Sequence, residues 1–223
     1  MPRSPLPRAL VHRALAATSL ALGLALGTPV LLPSVAQATV LAELSFDQRV
    51  DAAEYIVRGT VVDVWTEVDG NGLVWTRVQL DVAESLKGPA GDTLVLSEPG
   101  GTYGSIRTVV AGSAVFSVGE EILAFASERG EGRIQLMGLS RGKFILRLDP
   151  VSRSMVAQQW APPGNQPYDH RFVPPPREGS RVFLDDMLDD IRARLDLGWD
   201  GQPIPGIPTE RLYRTNKLQP GVK

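Results

Sequence analysis

Residues 55–82 carry the clearest alternation of hydrophobic and polar positions in the chain. Along residues 74–82 the apolar positions recur at every second residue, the period of a half-buried strand: Val74, Thr76, Val78, Leu80 and Val82. Residues 55–65, just before them, are rich in β-branched and aromatic side chains. Asp69–Gly72 lies between the two runs and contains residues that tolerate positive φ. The pattern predicts a β-hairpin.

Six further apolar runs, each bounded by Gly, Pro or Asp, predict short strands at residues 93–96, 106–110, 122–126, 133–138, 143–148 and 154–160. A short helix at residues 44–54 is predicted before them, because Ser45 and Gln48 have the spacing of a capping box. Seven or eight short strands opened by a helix predict a mainly β fold, a small closed or partly open barrel, with a β-sandwich as the alternative. This barrel domain spans residues 39–160.

The pattern changes after Trp160. Residues 161–179 are rich in proline and predict an extended connector. Residues 180–197 predict an amphipathic helix that begins at Ser180, with an apolar stripe of Leu184, Leu188, Ile191 and Leu195. Residues 198–223 are rich in Gly and Pro without periodicity, and we expect a tail that is disordered or loosely draped over the domain.

The first 38 residues predict a secretory signal peptide. Arg3, Arg8 and Arg13 precede a long apolar run, and the segment ends in the small-x-small pattern of residues 36–38. Cleavage is expected between Ala38 and Thr39. The alternative is an uncleaved membrane anchor, since the run is about long enough to span a bilayer. We therefore expect a secreted protein, periplasmic or extracellular, that meets a membrane only if the leader is retained.

Composition narrows the function classes. The chain has no cysteine, so neither disulfides nor thiolate metal sites are available. Without the three leader arginines, 20 basic residues remain against 25 acidic ones. A nucleic-acid partner is not expected, because such binding needs a basic surface that displaces counterions from phosphates.

The sequence contains partial matches to catalytic and metal-binding motifs, but each lacks the residues, spacing or secondary structure that its motif requires. His170 is the one histidine beyond the leader, too few for a zinc site. Gly138–Gly142 matches G-x-S-x-G, but a strand is predicted after it, so a turn is favoured over a hydrolase elbow. Asp69 opens a calcium-like pattern that lacks its closing Glu. The sequence therefore predicts no catalytic, cofactor-binding or metal-binding residue.

Three other features have both a functional and a structural interpretation. Glu120 and Glu121 are neighbours on a strand, so at most one could enter any site. The four aspartates between residues 185 and 190 could attract a cation, but a solvated helix face is favoured. Trp65, Trp75 and Trp160 could form a carbohydrate platform, although packing against the sheet is favoured.

Residues 42–150 resemble the netrin-like OB-fold domains, of which the tissue inhibitors of metalloproteinases are the best known. They are more similar to a β domain of secreted bacterial proteins, sometimes found beside matrixin-type metallopeptidase domains. The segments that carry the resemblance are 52–61, 82–88, 99–101, 112–120 and 138–144. Their motif residues are Gly59, Gly88, Pro99, Gly100, Gly101, Gly112, Phe116, Gly119, Glu120, Gly138, Gly142 and Phe144.

The resemblance implies an OB-like barrel more strongly than an activity. Inhibitors of this type reach the protease zinc through an N-terminal cysteine, which this chain lacks. Ala114 also stands where the bacterial pattern has proline. We expect a non-catalytic secreted module that binds a protein or an envelope component. The alternatives are a secreted hydrolase acting through carboxylates and a metallopeptidase inhibitor-like protein.

Overall fold

The computed structural model describes residues 44–159 and 181–216, all within one compact unit that spans residues 41–223. The described chain begins with helix α1 (Phe46–Ala52). The Ser45 hydroxyl accepts a hydrogen bond from the Gln48 amide, and the Gln48 side chain accepts one from the Ser45 amide. This capping box satisfies two backbone donors at the helix start, as the sequence predicts.

Ten strands follow within residues 55–159 and 181–183, most of them where the alternation of apolar residues predicts them. They are β1 (Tyr55–Val68), β2 (Val74–Lys87), β3 (Thr93–Pro99), β4 (Gly101–Tyr103), β5 (Ile106–Thr108), β6 (Glu121–Arg129), β7 (Arg133–Leu136), β8 (Lys143–Leu148), β9 (Met155–Gln159) and β10 (Arg181–Phe183). The sequence predicted neither β4 nor β10, each of which has only three residues. The fold is mainly β.

Eight of these strands form one mixed sheet that is partly closed into a ring. Its order is β1-β2-β3-β7-β6-β8-β9-β10, and β1 also pairs with β6. The closing pair aligns Tyr55 with Ala126 and Thr60 with Glu121. Five strands, β1, β2, β3, β7 and β6, therefore form a ring of pairings, in which β3 and β7 are parallel. Strands β4 and β5 form a separate two-stranded sheet.

The two faces of the ring bury different residues. On β6, Ile122, Ala124 and Ala126 belong to one apolar cluster, which includes residues of β1, β2 and β3. The alternate residues Leu123 and Phe125 belong to a second cluster that contains residues of α1 and of the C-terminal helices. Strand β6 is buried on both sides because successive side chains point to opposite faces.

Residues 181–216 contain two helices, α2 (Leu184–Leu197) and α3 (Thr209–Asn216). The predicted stripe of α2 is buried. The predicted start at Ser180 is wrong: β10 occupies residues 181–183, and the helix begins after Phe183, whose side chain makes no cap. The expectation of a disordered tail is also wrong for residues 198–216, because Ile204, Leu212 and Thr215 are buried there.

Several predictions concern parts of the chain outside the described residues. These are the signal peptide and its cleavage site, the proline-rich connector, His170 and Trp160. No helix among the described residues is long and apolar enough to cross a membrane.

Candidate functional site

Three of the motif segments meet around residues 109–120, which connect β5 to β6. The Ser113 hydroxyl donates to the Pro99 carbonyl at 2.7 Å, and the Ser140 amide donates to the Gly112 carbonyl at 3.0 Å. Ala114 and Phe116 are buried in the same apolar cluster as β1, β2 and β3. The motif segments 99–101, 112–120 and 138–144 thus hold one another in place.

Lys143 is fully buried at the centre of this contact. Its Nζ lies 2.6 Å from Glu120 Oε2, donates to the Val115 carbonyl and lies 4.3 Å from the centre of the Phe116 ring. Burial lowers the pKa of Lys143, and Glu120 opposes that shift. Since the ammonium has three donors and no acceptor, these partners account for its charge in the interior. The contact is structural.

Glu98, on β3, is a second ionisable group in the interior. Its Oε1 accepts a hydrogen bond from the Leu136 amide at 2.8 Å. Its Oε2 has no hydrogen-bond partner among the described residues. Burial raises the pKa of Glu98 to about 8, against the opposing effects of that amide and of the Lys143 charge. Glu98 therefore keeps a proton at neutral pH.

The remaining motif residues also have structural roles. Gly88 has a φ of +83°, and a Cβ there would lie 2.2 Å from the Glu54 carbonyl oxygen. A Cβ on Gly142 would lie 2.7 Å from the Phe125 carbonyl oxygen. Phe144 is buried and packs edge-on against Phe125. Gly59 lies in β1 and Gly101 in β4, while Gly100, Gly119 and Gly138 lie in the connections that precede β4, precede β6 and follow β7.

The described parts of α1, α2 and α3 are joined by buried carboxylates. Asp51 is paired in a bidentate fashion with Arg194, whose Nε lies 3.0 Å from Oδ1. Glu54 accepts from the Glu128 amide at 2.6 Å and from Arg214 at 2.7 Å. These contacts anchor both C-terminal helices to the start of the domain.

Lys87 completes this ionic cluster. Its Nζ donates to the Val50 and Asp51 carbonyls at 2.9 and 3.0 Å. Burial lowers the pKa of Lys87 to about 8, while Asp51 and Glu54 oppose the shift. With 1% of the residue exposed, it serves structure rather than chemistry.

A cavity of about 230 Å³ lies between α1 and the segment after α2. Asp47, Asp51 and Asp200 line it together with Arg194 and Trp199. The Trp199 Nε1 donates to the Gln202 carbonyl at 2.8 Å. Because Arg194 already pairs with Asp51, Asp47 and Asp200 are the carboxylates of the cavity that remain open to solvent.

The outer face of the ring carries two tryptophans. Trp65 lies directly opposite Arg77 in the β1–β2 register, so both side chains leave the same face. Trp75 is two residues from Arg77 and shares that face. The Trp65 residue is 37% exposed. The Trp75 indole is fixed by its Nε1, which donates to Asp69 Oδ2 at 2.9 Å.

Arginines extend this face across the neighbouring strands. The Arg133 guanidinium lies 4.4 Å from the centre of the Trp75 ring. Arg129 lies directly opposite Arg133 in the β6–β7 pairing, and its charge interacts with that of Arg211 on α3. We call this row the Trp–Arg strip, and it consists of Trp65, Trp75, Arg77, Arg129, Arg133 and Arg211.

Among the other candidates from the sequence, the turn assignments are confirmed. Asp69 Oδ1 accepts from the Asn71 and Leu73 amides, as in a hairpin turn. A short 3-10 turn at Leu139–Gly142 leads directly into β8. Glu120 pairs with Lys143, whereas its neighbour Glu121 pairs with Arg58. The four aspartates of α2 are exposed: Asp185, Asp186, Asp189 and Asp190.

Sequence reasoning missed the Trp–Arg strip as a unit. The alternation along β2 does place Trp75 and Arg77 on one face, but Arg129 and Arg133 join them only through strand pairing. No group of three or more potential metal ligands occurs within residues 44–159 and 181–216. Comparison of the chain with known protein families and with curated protein sequences finds no match in either.

Proposed function

We propose that this chain is a non-catalytic, secreted module that binds a protein or an envelope component through the Trp–Arg strip. The observation that carries the proposal is the placement of Trp65 and Trp75 on one outward face of the β1–β2 hairpin. An aromatic side chain left on the outside of a sheet suits a partner, since indoles supply large contact areas at low entropic cost.

The contacts around the indoles support a binding role. Asp69 accepts a hydrogen bond from the Trp75 Nε1, and Arg133 lies over the ring. Because the indole is already ordered in the free protein, binding a partner costs little side-chain entropy at this residue. Arg77 is directly opposite Trp65 and two residues from Trp75, and its Nε lies 3.2 Å from Glu67 Oε1. Preorganised aromatic and guanidinium groups are typical of the energetically dominant part of an interface.

We also infer an OB-like barrel from the ring of five strand pairings. In the OB fold, five strands form a partly open Greek-key barrel whose ligand face includes the second and third strands. The parallel pairing of β3 with β7 and the closing pair of β1 with β6 support this assignment. Trp75 and Arg77 lie on the second strand of the ring. The inference of secretion is based on the signal-peptide pattern of residues 1–38.

The binding role can be tested with the exported protein immobilised on a support. Trp65→Ala should weaken retention of co-secreted proteins or envelope fragments by about tenfold or more, the loss expected for an interface anchor. Tyr213→Ala serves as the matched control, because Tyr213 is a 61% exposed aromatic residue outside the strip. Equal retention by the wild type and both variants would refute the role of the strip.

The cavity beside α1 favours a second candidate, a hydrolase that acts through carboxylates. Asp47 and Asp200 line the same space, as a pair of acid and base groups would. Hydrolysis of peptide, ester or glycan substrates by the wild type, lost in Asp47→Asn and Asp200→Asn, would establish this alternative. A wild-type protein inactive on all three substrate classes would reject it.

A further inference from the structure

The guanidiniums of the Trp–Arg strip are unevenly compensated. Arg77 has Glu67 nearby, and Arg133 lies 2.6 Å from Glu131. Arg211 lies 3.4 Å from Glu54, a buried carboxylate that also pairs with Arg214. Arg129 and Arg211 of the strip therefore share the single charge of Glu54 with Arg214, which lies outside the strip.

Arg129 is the one arginine of the strip that forms no ion pair with a carboxylate of the described residues. Partial burial and the neighbouring Arg211 charge lower its pKa, while Glu54 opposes the shift. Arg133 lies directly opposite it across the strands, but its charge is paired with Glu131. An anion placed beside Arg129 would offset the repulsion from Arg211. Guanidiniums bind carboxylates and phosphates in a bidentate manner, so the chemistry at this end of the strip fits such an anion.

The other end of the strip differs in character. Trp65 offers an indole face, with Arg77 directly opposite it, whereas the Arg133 guanidinium lies over the Trp75 ring. An indole face packs against the apolar side of a ring, and its negative quadrupole favours the electropositive C–H groups of a sugar. A ligand that spans the strip would therefore combine ring-shaped units with a sparse series of negative charges.

We propose that the Trp–Arg strip binds an anionic polysaccharide, a polymer of sugars that carry carboxylate or phosphate groups. This inference rests on the proposed binding role and names its ligand class. A sugar ring lies against Trp65, and an acidic group lies beside Arg129. The guanidiniums match the anionic groups of such a polymer, and the Trp65 indole matches its sugar rings. The strip therefore fits this class better than a neutral glycan.

The overall charge favours this ligand over a nucleic acid. The chain beyond the leader has an excess of acidic residues, 25 against 20 basic ones. DNA carries about one negative charge per 1.7 Å of duplex, so a net acidic protein repels it strongly. A polysaccharide with about one charge per sugar presents fewer charges to the acidic remainder of the surface, and the strip can neutralise them locally.

The proposal can be tested with alginate as the acidic probe, dextran as the neutral probe and oligo-dT as the nucleic-acid probe. Binding to the exported protein is measured by tryptophan fluorescence and by affinity electrophoresis. We expect alginate to bind and dextran to bind at least about tenfold more weakly. Alginate affinity should fall as salt is raised from about 0.05 to 0.2 M, because ion pairs are screened.

Substitutions within and outside the strip test whether alginate binds there. Trp65→Ala and Arg129→Gln should each weaken alginate binding by about tenfold. Arg147→Gln removes the same charge from an exposed position on β8 and should leave affinity unchanged. Circular dichroism of each variant verifies that it is folded.

Three results would overturn the proposal. One is equal affinity for alginate and dextran, and another is equal alginate affinity in Arg129→Gln and Arg147→Gln. The third is tighter binding of oligo-dT than of alginate, which assigns the strip to nucleic acid. If Trp65→Ala abolishes retention of a secreted protein but alginate does not bind, the binding role stands and the polysaccharide is excluded. If Trp65→Ala affects neither, both proposals fail.

Discussion

Glu98 shows how one buried side chain can set the response of the protein to pH. The carboxyl group is fully enclosed, and its interactions with backbone amides and with the Lys143 charge are too weak to compensate for the lost hydration of its charged form. Its pKa is about 8 in the folded chain, against an ordinary value of 4.5. The folded state therefore binds more protons than the unfolded state between these two values.

We expect Glu98→Gln to flatten the dependence of stability on pH. In the wild type, the free energy of unfolding should decrease by up to about 1.4 kcal/mol per pH unit between pH 5 and pH 8, since the unfolded chain releases this proton first. The amide of the variant has no proton to release in that range. Urea unfolding at several pH values measures both slopes.

Glu210→Gln, on the exposed side of α3, controls for the change in net charge. It should retain the wild-type slope. An identical slope in Glu98→Gln and the wild type would show that Glu98 is ionised throughout, contrary to the expectation.

The local elements follow from local residues. The start of α1 is specified by Ser45 and Gln48, and the first hairpin turn by Asp69 and Gly72, so the sequence is sufficient to place them. Helix α3 was not predicted, because its burial depends on distant partners. Leu212 is the one fully buried apolar residue of that helix, and the Glu54 carboxylate that pairs with Arg214 lies far away in the sequence.

Leu212→Ala tests whether α3 contributes to the core. Leu212 is completely buried in the cluster that contains α1 and α2. Its truncation should lower the free energy of unfolding by about 2–4 kcal/mol, because it removes apolar contacts and leaves a cavity. Chemical denaturation measures the change. Glu210→Ala, two residues away and exposed, should have little effect, whereas equal stability of the two variants would mean that α3 is detached from the domain.

At the scale of the whole domain, buried acidic and basic groups act in opposite directions. Lys87 has a pKa of about 8 in the folded chain, against 10.5 when exposed. The unfolded chain therefore keeps this proton at higher pH than the folded chain does, and the cost of burying the ammonium disappears as pH rises above 8. Glu98 lowers the free energy of unfolding as pH rises towards 8, and Lys87 raises it above pH 8. The two effects together predict a minimum of stability near pH 8.

Lys87→Met should remove the recovery of stability above that minimum. In the wild type, Lys87 should raise the free energy of unfolding by up to about 1.4 kcal/mol per unit between pH 8 and pH 9.5. Thermal or urea unfolding across this interval measures the recovery. If stability rises by the same amount in Lys87→Met, the recovery comes from other groups. Lys143 is one such group, because burial lowers its pKa as well.

The arrangement of the domain was only partly predictable from the sequence. Strand positions follow from alternation, as along Val74–Leu80, and these predict a mainly β fold. The pairing of β1 with β6 involves two runs far apart in the chain, and no local pattern specifies it. The Trp–Arg strip depends on the same long-range pairings, since Arg129 and Arg133 reach Trp75 only across the assembled sheet.

The closure of the ring also implies an order of folding. The β1–β2 hairpin joins neighbouring segments and can form with little loss of loop entropy, whereas β1 cannot pair with β6 until a much longer loop has closed. We therefore expect the hairpin to form early and the Tyr55–Thr60 edge to pair last. Until that step, the edge presents unpaired backbone amides, and a chain halted before Glu121 would expose them to other chains as a template for aggregation.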